Sequence, residues 1–122
     1  MTMQRQALGR SGEDLAVEEI ERRGYAVLDR RYRTRHGEID IVAEDGDTIV
    51  FIEVKARATG QRGTAAEAVT PHKQRKLVAM ATDYLSRRHL TDRRCRFDVV
   101  AIDGVGEGQC LTLYRGAFDA SR

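Results

Sequence analysis

Gly37-Glu38-Ile39-Asp40-Ile41-Val42-Ala43, followed by Val50-Phe51-Ile52-Glu53-Val54-Lys55, decides how this chain is read. The two runs look like adjacent strands that carry acids where an ordinary sheet places apolar residues. Asp45-Gly46 lies between them, a strong hairpin signal. A two-residue turn there predicts Glu44 opposite Asp47, Asp40 opposite Phe51 and Glu38 opposite Glu53. Side chains alternate along a strand, and directly opposed residues share a face. Glu38, Asp40, Glu53 and Lys55 are therefore expected on one face, beside Val42, Ile49 and Phe51. Glu38 against Glu53 should repel, and apolar surroundings raise the cost of each carboxylate. A divalent cation is the simplest way to offset both.

A lone Glu-x-Lys is ordinarily a weak surface ion pair. This one lies in a long apolar run, with Val50, Ile52, Val54 and Ala56 on one side and Ile49 and Phe51 on the other. That is the pattern of a strand covered on both faces, where charged side chains need a functional reason. Only three of the 21 basic residues are lysines, Lys55, Lys73 and Lys76; the other 18 are arginines. Lysine is a compact charge whose pKa its surroundings can move, whereas arginine is a permanently charged planar fork. A position near a nucleophilic water or a phosphoryl oxygen suits the former.

With 122 residues, 41% of them hydrophobic and 33% charged, one globular domain spanning 1–122 is expected. No apolar stretch is long enough to cross a bilayer, so no membrane partner is expected. Met1 to Arg5 leads into no apolar signal region. Cys95 and Cys110 fit no metal spacing and form no disulfide framework, which suits a reduced, cytoplasmic protein. The net charge of +2 is small but unevenly spread. Acids gather between Glu13 and Glu21, and bases at 30–36, 73–76, 87–89 and 93–96. Each basic patch reads either as a phosphate-binding footprint or as solvated turns and helix ends. Tyr32, in the first patch, could stack on a base, although a strand aromatic is more often packing.

Residues Arg10 to Arg23 predict a helix with Ala16, Val17 and Ile20 on its apolar stripe and Gly24 as its stop. Glu13 falls on that stripe, either as a site residue or as a first-turn acid favoured by the helix dipole. Tyr25 to Arg33 reads as a strand that turns at His36-Gly37 into the acidic hairpin. Residues 58 to 69 are a glycine-containing connection, a candidate mobile loop. Thr70 as N-cap and Pro71, the only proline, open a second helix. Leu77, Met80, Ala81, Tyr84 and Leu85 mark its buried face. Cys95 to Ile102 and Leu111 to Tyr114 read as closing strands around a glycine-rich turn, which cradles no phosphate because no helix follows it. The whole is an α/β or α+β layer protein with a mixed sheet between helices. Asp98 reads as a buried, arginine-paired structural acid. His36, His72 and His89 share no ligand spacing.

This order, with Asp on one strand and Glu-x-Lys on the next, resembles the restriction-endonuclease-like fold and its PD-(D/E)xK nuclease signature. Gly12-Glu13, Gly37-Glu38-Ile39-Asp40, Phe51 to Arg57 and Arg96-Phe97-Asp98-Val99-Val100 are more closely similar to the YraN family. Its members are small bacterial proteins described as predicted endonucleases, similar in arrangement to archaeal Holliday junction resolvases. The resemblance spans nearly the whole chain. It implies Asp40 and Glu53 as ligands of Mg²⁺ or Mn²⁺, Lys55 as the residue that activates water or stabilises the reacting phosphoryl group, and Glu13 as the helix-borne acid completing the site. Ile39 departs from the broad signature, which has proline there, and Glu38 adds an accessory acid.

The leading expectation is a metal-dependent endonuclease acting on DNA, with Arg57, Lys73 and Lys76 holding flanking phosphates. Branched or structured DNA as substrate follows from the resemblance alone, and a homodimer is one assembly open to the chain. The alternative is a non-catalytic nucleic-acid-binding or partner-docking module that keeps the fold. A third reading is a small structural protein with surface ion pairs.

Overall fold

A computed structural model describes residues 11–57, 69–104 and 108–118. The elements follow the expected order: α1 (Gly12–Arg22), β1 (Ala26–Thr34), β2 (Gly37–Asp45), β3 (Thr48–Arg57), α2 (Pro71–Arg87), β4 (Arg94–Asp103) and β5 (Cys110–Phe118). Both helices start where cap chemistry dictates. Ser11 Oγ accepts the Asp14 N–H at 3.0 Å, and Thr70 Oγ1 accepts the Lys73 N–H at 3.2 Å ahead of Pro71. Gly24, at φ +96, reverses the chain after α1 into a conformation that few other residues tolerate. The connection read as a mobile loop lies outside the described residues except for Val69, which is buried; so do 105–107 of the glycine-rich turn.

The five strands form one sheet in the order β1-β2-β3-β4-β5. Neighbours are antiparallel except β3 and β4, which run parallel. A parallel pair needs a long crossover, and α2 lies within it. The architecture is a mixed α+β layer. On one face α2 supplies Leu77, Met80, Ala81 and Tyr84 against Val42, Ile49, Phe51, Phe97 and Val99. On the other, Ala16 and Ile20 of α1 pack on Ile41, Val50, Ile52, Val100 and Ile102. β3 is covered on both sides, as its sequence requires, but only from Ile49 to Ile52; from Glu53 onward it emerges.

The hairpin register differs from expectation by two residues. Asp45 pairs with Thr48 and Val42 with Phe51, so the turn is Gly46-Asp47, not Asp45-Gly46. Gly46 has φ +62 and Asp47 keeps a negative φ, the requirement of a type II′ turn with glycine first. A two-residue slip preserves the faces, so Ile49 and Phe51 still share the α2 side. It does change the neighbours. One step beyond the last ladder pair, Ile41 with Ile52, Glu53 stands beside Asp40 and not opposite Glu38.

Alternation in β2 also breaks. Ile41 packs on the α1 side and Ile39 on the α2 side, although strict alternation would put both on one face. The reversal falls at Asp40. Across the ladder, Arg31 lies between the partners of Ile41 and Ile39 and carries φ +55, an uncommon conformation for a long side chain.

Asp98 is buried and structural, as expected. It accepts hydrogen bonds from Tyr25 Oη (2.9 Å), Arg96 Nε (3.0 Å) and the Gly116 N–H (2.9 Å). Arg96 reaches onward to Asp45 at 2.9 Å, tying the hairpin turn to β4. Cys95 and Cys110 are free and exposed. Among the described residues no helix is long and apolar enough to cross a membrane. Removing one partner of a buried ion pair strands the other, so Asp98→Ala is expected to cost about 3–5 kcal/mol in urea denaturation. A loss below about 1 kcal/mol would mean that the network does not hold the sheet.

Candidate functional site

The acids of the hairpin meet where β2 leaves β3. Asp40 does not stand on a sheet face like an ordinary strand residue. Its Oδ2 accepts the Val54 N–H at 2.8 Å, taking the place of a backbone acceptor just beyond the end of the β2–β3 ladder. Around it lie Glu53 from β3, Glu13 from α1 and Glu38 from β2, each close enough to act on its ionisation. Burial pushes the Asp40 carboxyl up from 3.8 to about 6; the Val54 N–H works against this, and the three neighbouring carboxylates add to it. Four carboxylates from three elements therefore share one neighbourhood.

Each neighbour has its own tether. Glu13, expected on the apolar stripe, is indeed mostly covered, its side chain 11% exposed. Its Oε1 takes both Arg30 Nη2 (3.1 Å) and Arg31 Nε (2.9 Å), so the positive-φ residue of β1, Arg31, is part of what holds this acid. Glu38 pairs loosely with Arg33 at the exposed end of the hairpin, at 3.2 Å. Glu53, its side chain 15% exposed, is held by Lys73 Nζ at 3.0 Å. Lys55, two residues on and half-buried on the same side of β3, has no side-chain hydrogen bond or ion pair among the described residues. Asp40 likewise forms no further hydrogen bond there.

Beside this cluster a cleft of about 170 Å³ opens between α2 and the start of β2. Its lining brings Glu38 and Glu53 of the hairpin together with His36 and with His72, Lys73, Lys76, Leu77 and Met80 of α2. The two histidines were missed because they are 36 positions apart in sequence and only the packing of α2 brings them together. Lys73 and Lys76 were read as phosphate-holding groups, and both line this cleft. Arg57 lies elsewhere in chemistry: its guanidinium grips Asp103 through Nε (2.7 Å) and Nη2 (3.1 Å), its side chain only 8% exposed. No group of three His, Cys, Asp or Glu among the described residues is arranged as a ready metal cage.

The basic patches are largely spoken for. Arg30, Arg33, Arg87, Arg88, Arg93 and Arg96 each pair with an acid. Tyr32 is packing: its ring meets Tyr84 edge-on at 4.9 Å and its hydroxyl donates to Asp83.

The model of an uncharacterised protein family, UPF0102, matches residues 12–102, which include every residue of the cluster and the cleft. Individual relatives agree. A UPF0102 protein of Desulforapulum autotrophicum is 46% identical over 118 residues, covering 97% of this chain and 98% of its own. One from Anaeromyxobacter dehalogenans is 47% identical over 94% of this chain and 86% of its own. One from Geobacter sulfurreducens reaches 50% over 78% and 74%.

The elevated Asp40 pKa has a consequence for stability. Between pH 4 and 6 the folded chain holds a proton at Asp40 that the unfolded chain has released, so stability falls as pH rises through this window. Asp40→Asn keeps an acceptor for Val54 and removes the charge. It is expected to stabilise the protein by roughly 1–3 kcal/mol at pH 7.5, with the gain vanishing toward pH 4 in urea denaturation. Equal stability of wild type and variant at both pH values would rule out a strained carboxylate.

Proposed function

The chain belongs to the UPF0102 family, of the YraN type, and from that premise and the acid cluster we propose a metal-dependent endonuclease with a restriction-endonuclease-like fold. The observation that carries this reading is the meeting of Asp40 and Glu53 at the end of the β2–β3 ladder, with Glu13 arriving from α1. Carboxylates are rarely gathered in a partly buried place at a cost to stability unless a cation or a reaction uses them.

The donor set fits a hard divalent ion. Asp40 offers an oxygen beyond the one bonded to Val54, and Glu53 becomes available if Lys73 moves. Mg²⁺ is commonly held by one or two carboxylates, with waters and substrate phosphates completing its shell; the lack of a three-residue cage among the described residues is compatible with that. Asp40 and Glu53 would hold the ion, and Glu13 would orient a water at its edge. When bound, the ion polarises the scissile phosphate and lowers the pKa of a water.

The remaining work falls to the chain itself. Lys55, without a partner among the described residues, would orient the attacking water or offset charge growing on the phosphoryl oxygens. Lys73 and Lys76, one turn apart along α2, would hold phosphates flanking the scissile bond, which gives position with little sequence specificity. Arg57, fixed by Asp103, has no part in this scheme. DNA, and branched DNA within it, is the substrate class that the family resemblance suggests.

A non-catalytic nucleic-acid-binding module is the rival reading. It accounts for the lysine-lined cleft but gives the costly Asp40 no purpose. The test is cleavage of branched, single-stranded and duplex DNA with Mg²⁺ or Mn²⁺. Asp40→Asn and Glu53→Gln should each lower the rate at least 100-fold, and Lys55→Ala by about 10²–10³-fold. If wild type and Asp40→Asn behave alike on every substrate, the catalytic reading fails.

A further inference from the structure

Glu53 is not waiting empty-handed. Its Oε2 is occupied by Lys73 Nζ at 3.0 Å, in a pair whose two sides differ: the glutamate side chain is 15% exposed and the lysine 42%. The buried partner is fixed on β3, whereas the lysine reaches it across the cleft from the first turn of α2. That turn contains no acid. A cation there opposes the positive end of the helix dipole, so Lys73 gains nothing locally from its position, and Glu53 is its one partner among the described residues. The pairing residue is also one of only three lysines in a chain of 18 arginines. Arginine would lock on as a two-pronged fork, while a single ammonium on a flexible stem can let go.

Resting on the nuclease reading above, we propose that Lys73 is the resident counter-ion of Glu53, which it releases on metal binding to take up a phosphate of the nucleic acid. Without metal, the ammonium offsets the charge that Glu53 adds beside Asp40. With metal, Glu53 turns to the ion, and the freed ammonium lies in the same cleft as Lys76 and His72, where a backbone phosphate can enter. Metal and nucleic acid then bind with positive coupling through one side chain, and each raises the affinity of the other by the same factor.

The experiment is Mn²⁺ titration calorimetry of the full chain as wild type, Lys73→Met, Lys73→Gln and Arg75→Met. Arg75 is an exposed base two positions along the same helix, outside the cleft, and controls for loss of one positive charge. Removing the competing ammonium should tighten Mn²⁺ binding about five- to tenfold in both Lys73 variants, against less than about twofold for Arg75→Met. A phosphorothioate oligonucleotide followed by fluorescence anisotropy gives the reverse reading. Mn²⁺ should strengthen its binding to wild type about tenfold and to Lys73→Met less than about twofold. Equal Mn²⁺ affinity in wild type and the Lys73 variants, or equal tightening in Arg75→Met, overturns the exchange and leaves the metal site standing. Absence of Mn²⁺ binding in all four proteins overturns both.

Discussion

The bond from the Val54 N–H to Asp40 Oδ2, 2.8 Å long, is where fold and site become one problem. A strand that leaves its neighbour strands a backbone donor, and a buried donor without an acceptor costs about as much as a lost hydrogen bond. Here a side chain supplies the acceptor, so β2 can turn away while β3 continues. The divergence leaves Glu53, Lys55 and Arg57 on a stretch of β3 that is no longer covered on both sides. The acceptor chosen is a carboxylate, and it shares its neighbourhood with Glu53. A neutral side chain could close the ladder as well. The choice of an acid therefore argues for a purpose beyond the sheet.

Much of this was legible in the sequence, for identifiable reasons. The order of elements follows from strong local signals: Thr70-Pro71 at one helix start, Gly24 at the other helix end, and two apolar faces on Val50 to Val54. The faces of Val42, Ile49 and Phe51 survived an error in the turn because hairpin slips by two conserve parity. What parity cannot convey is who stands beside whom. Asp45-Gly46 is the commoner turn signal, yet the chain turns at Gly46-Asp47, because Asp45 is needed in the ladder and by Arg96. The break at Asp40 has no local signature either. It depends on Arg31 adopting a positive φ across the ladder, and Arg31 is steadied in turn by Glu13 from α1. The histidines of the cleft and the Arg57–Asp103 pair are products of tertiary packing, invisible to spacing.

The basic residues divide by type in a way that composition only hinted at. Arginines act as staples: Arg96 joins Tyr25, Asp45 and Asp98; Arg88 bonds Asp29 and lies over the Tyr84 ring; Arg57 ties the end of β3 to that of β4. Planar forks suit this work, because two directed bonds fix an angle as well as a distance. Two of the three lysines, Lys73 and Lys76 in the first two turns of α2, line the cleft instead, and Lys73 meets Glu53 there.

The start of α2 shows the same division in reverse. Helices ordinarily place acids in the first turn to complement the dipole, as α1 does with Glu13 and Asp14. α2 begins instead with Thr70, Pro71, His72 and Lys73, and relies on its cap and on Glu53 across the cleft. A helix start left without acids is favourable ground for an anion, and here it faces a wall of carboxylates. The opposite charges that meet in this cleft, Lys73 on Glu53 at 3.0 Å, can be exchanged for a ligand that carries both signs at once, as a phosphate accompanied by its divalent cation does. Neither a bare anion nor a bare cation would replace both partners of that pair, which is why the cluster on β2 and β3 and the lysines on α2 are better understood as one site than as two.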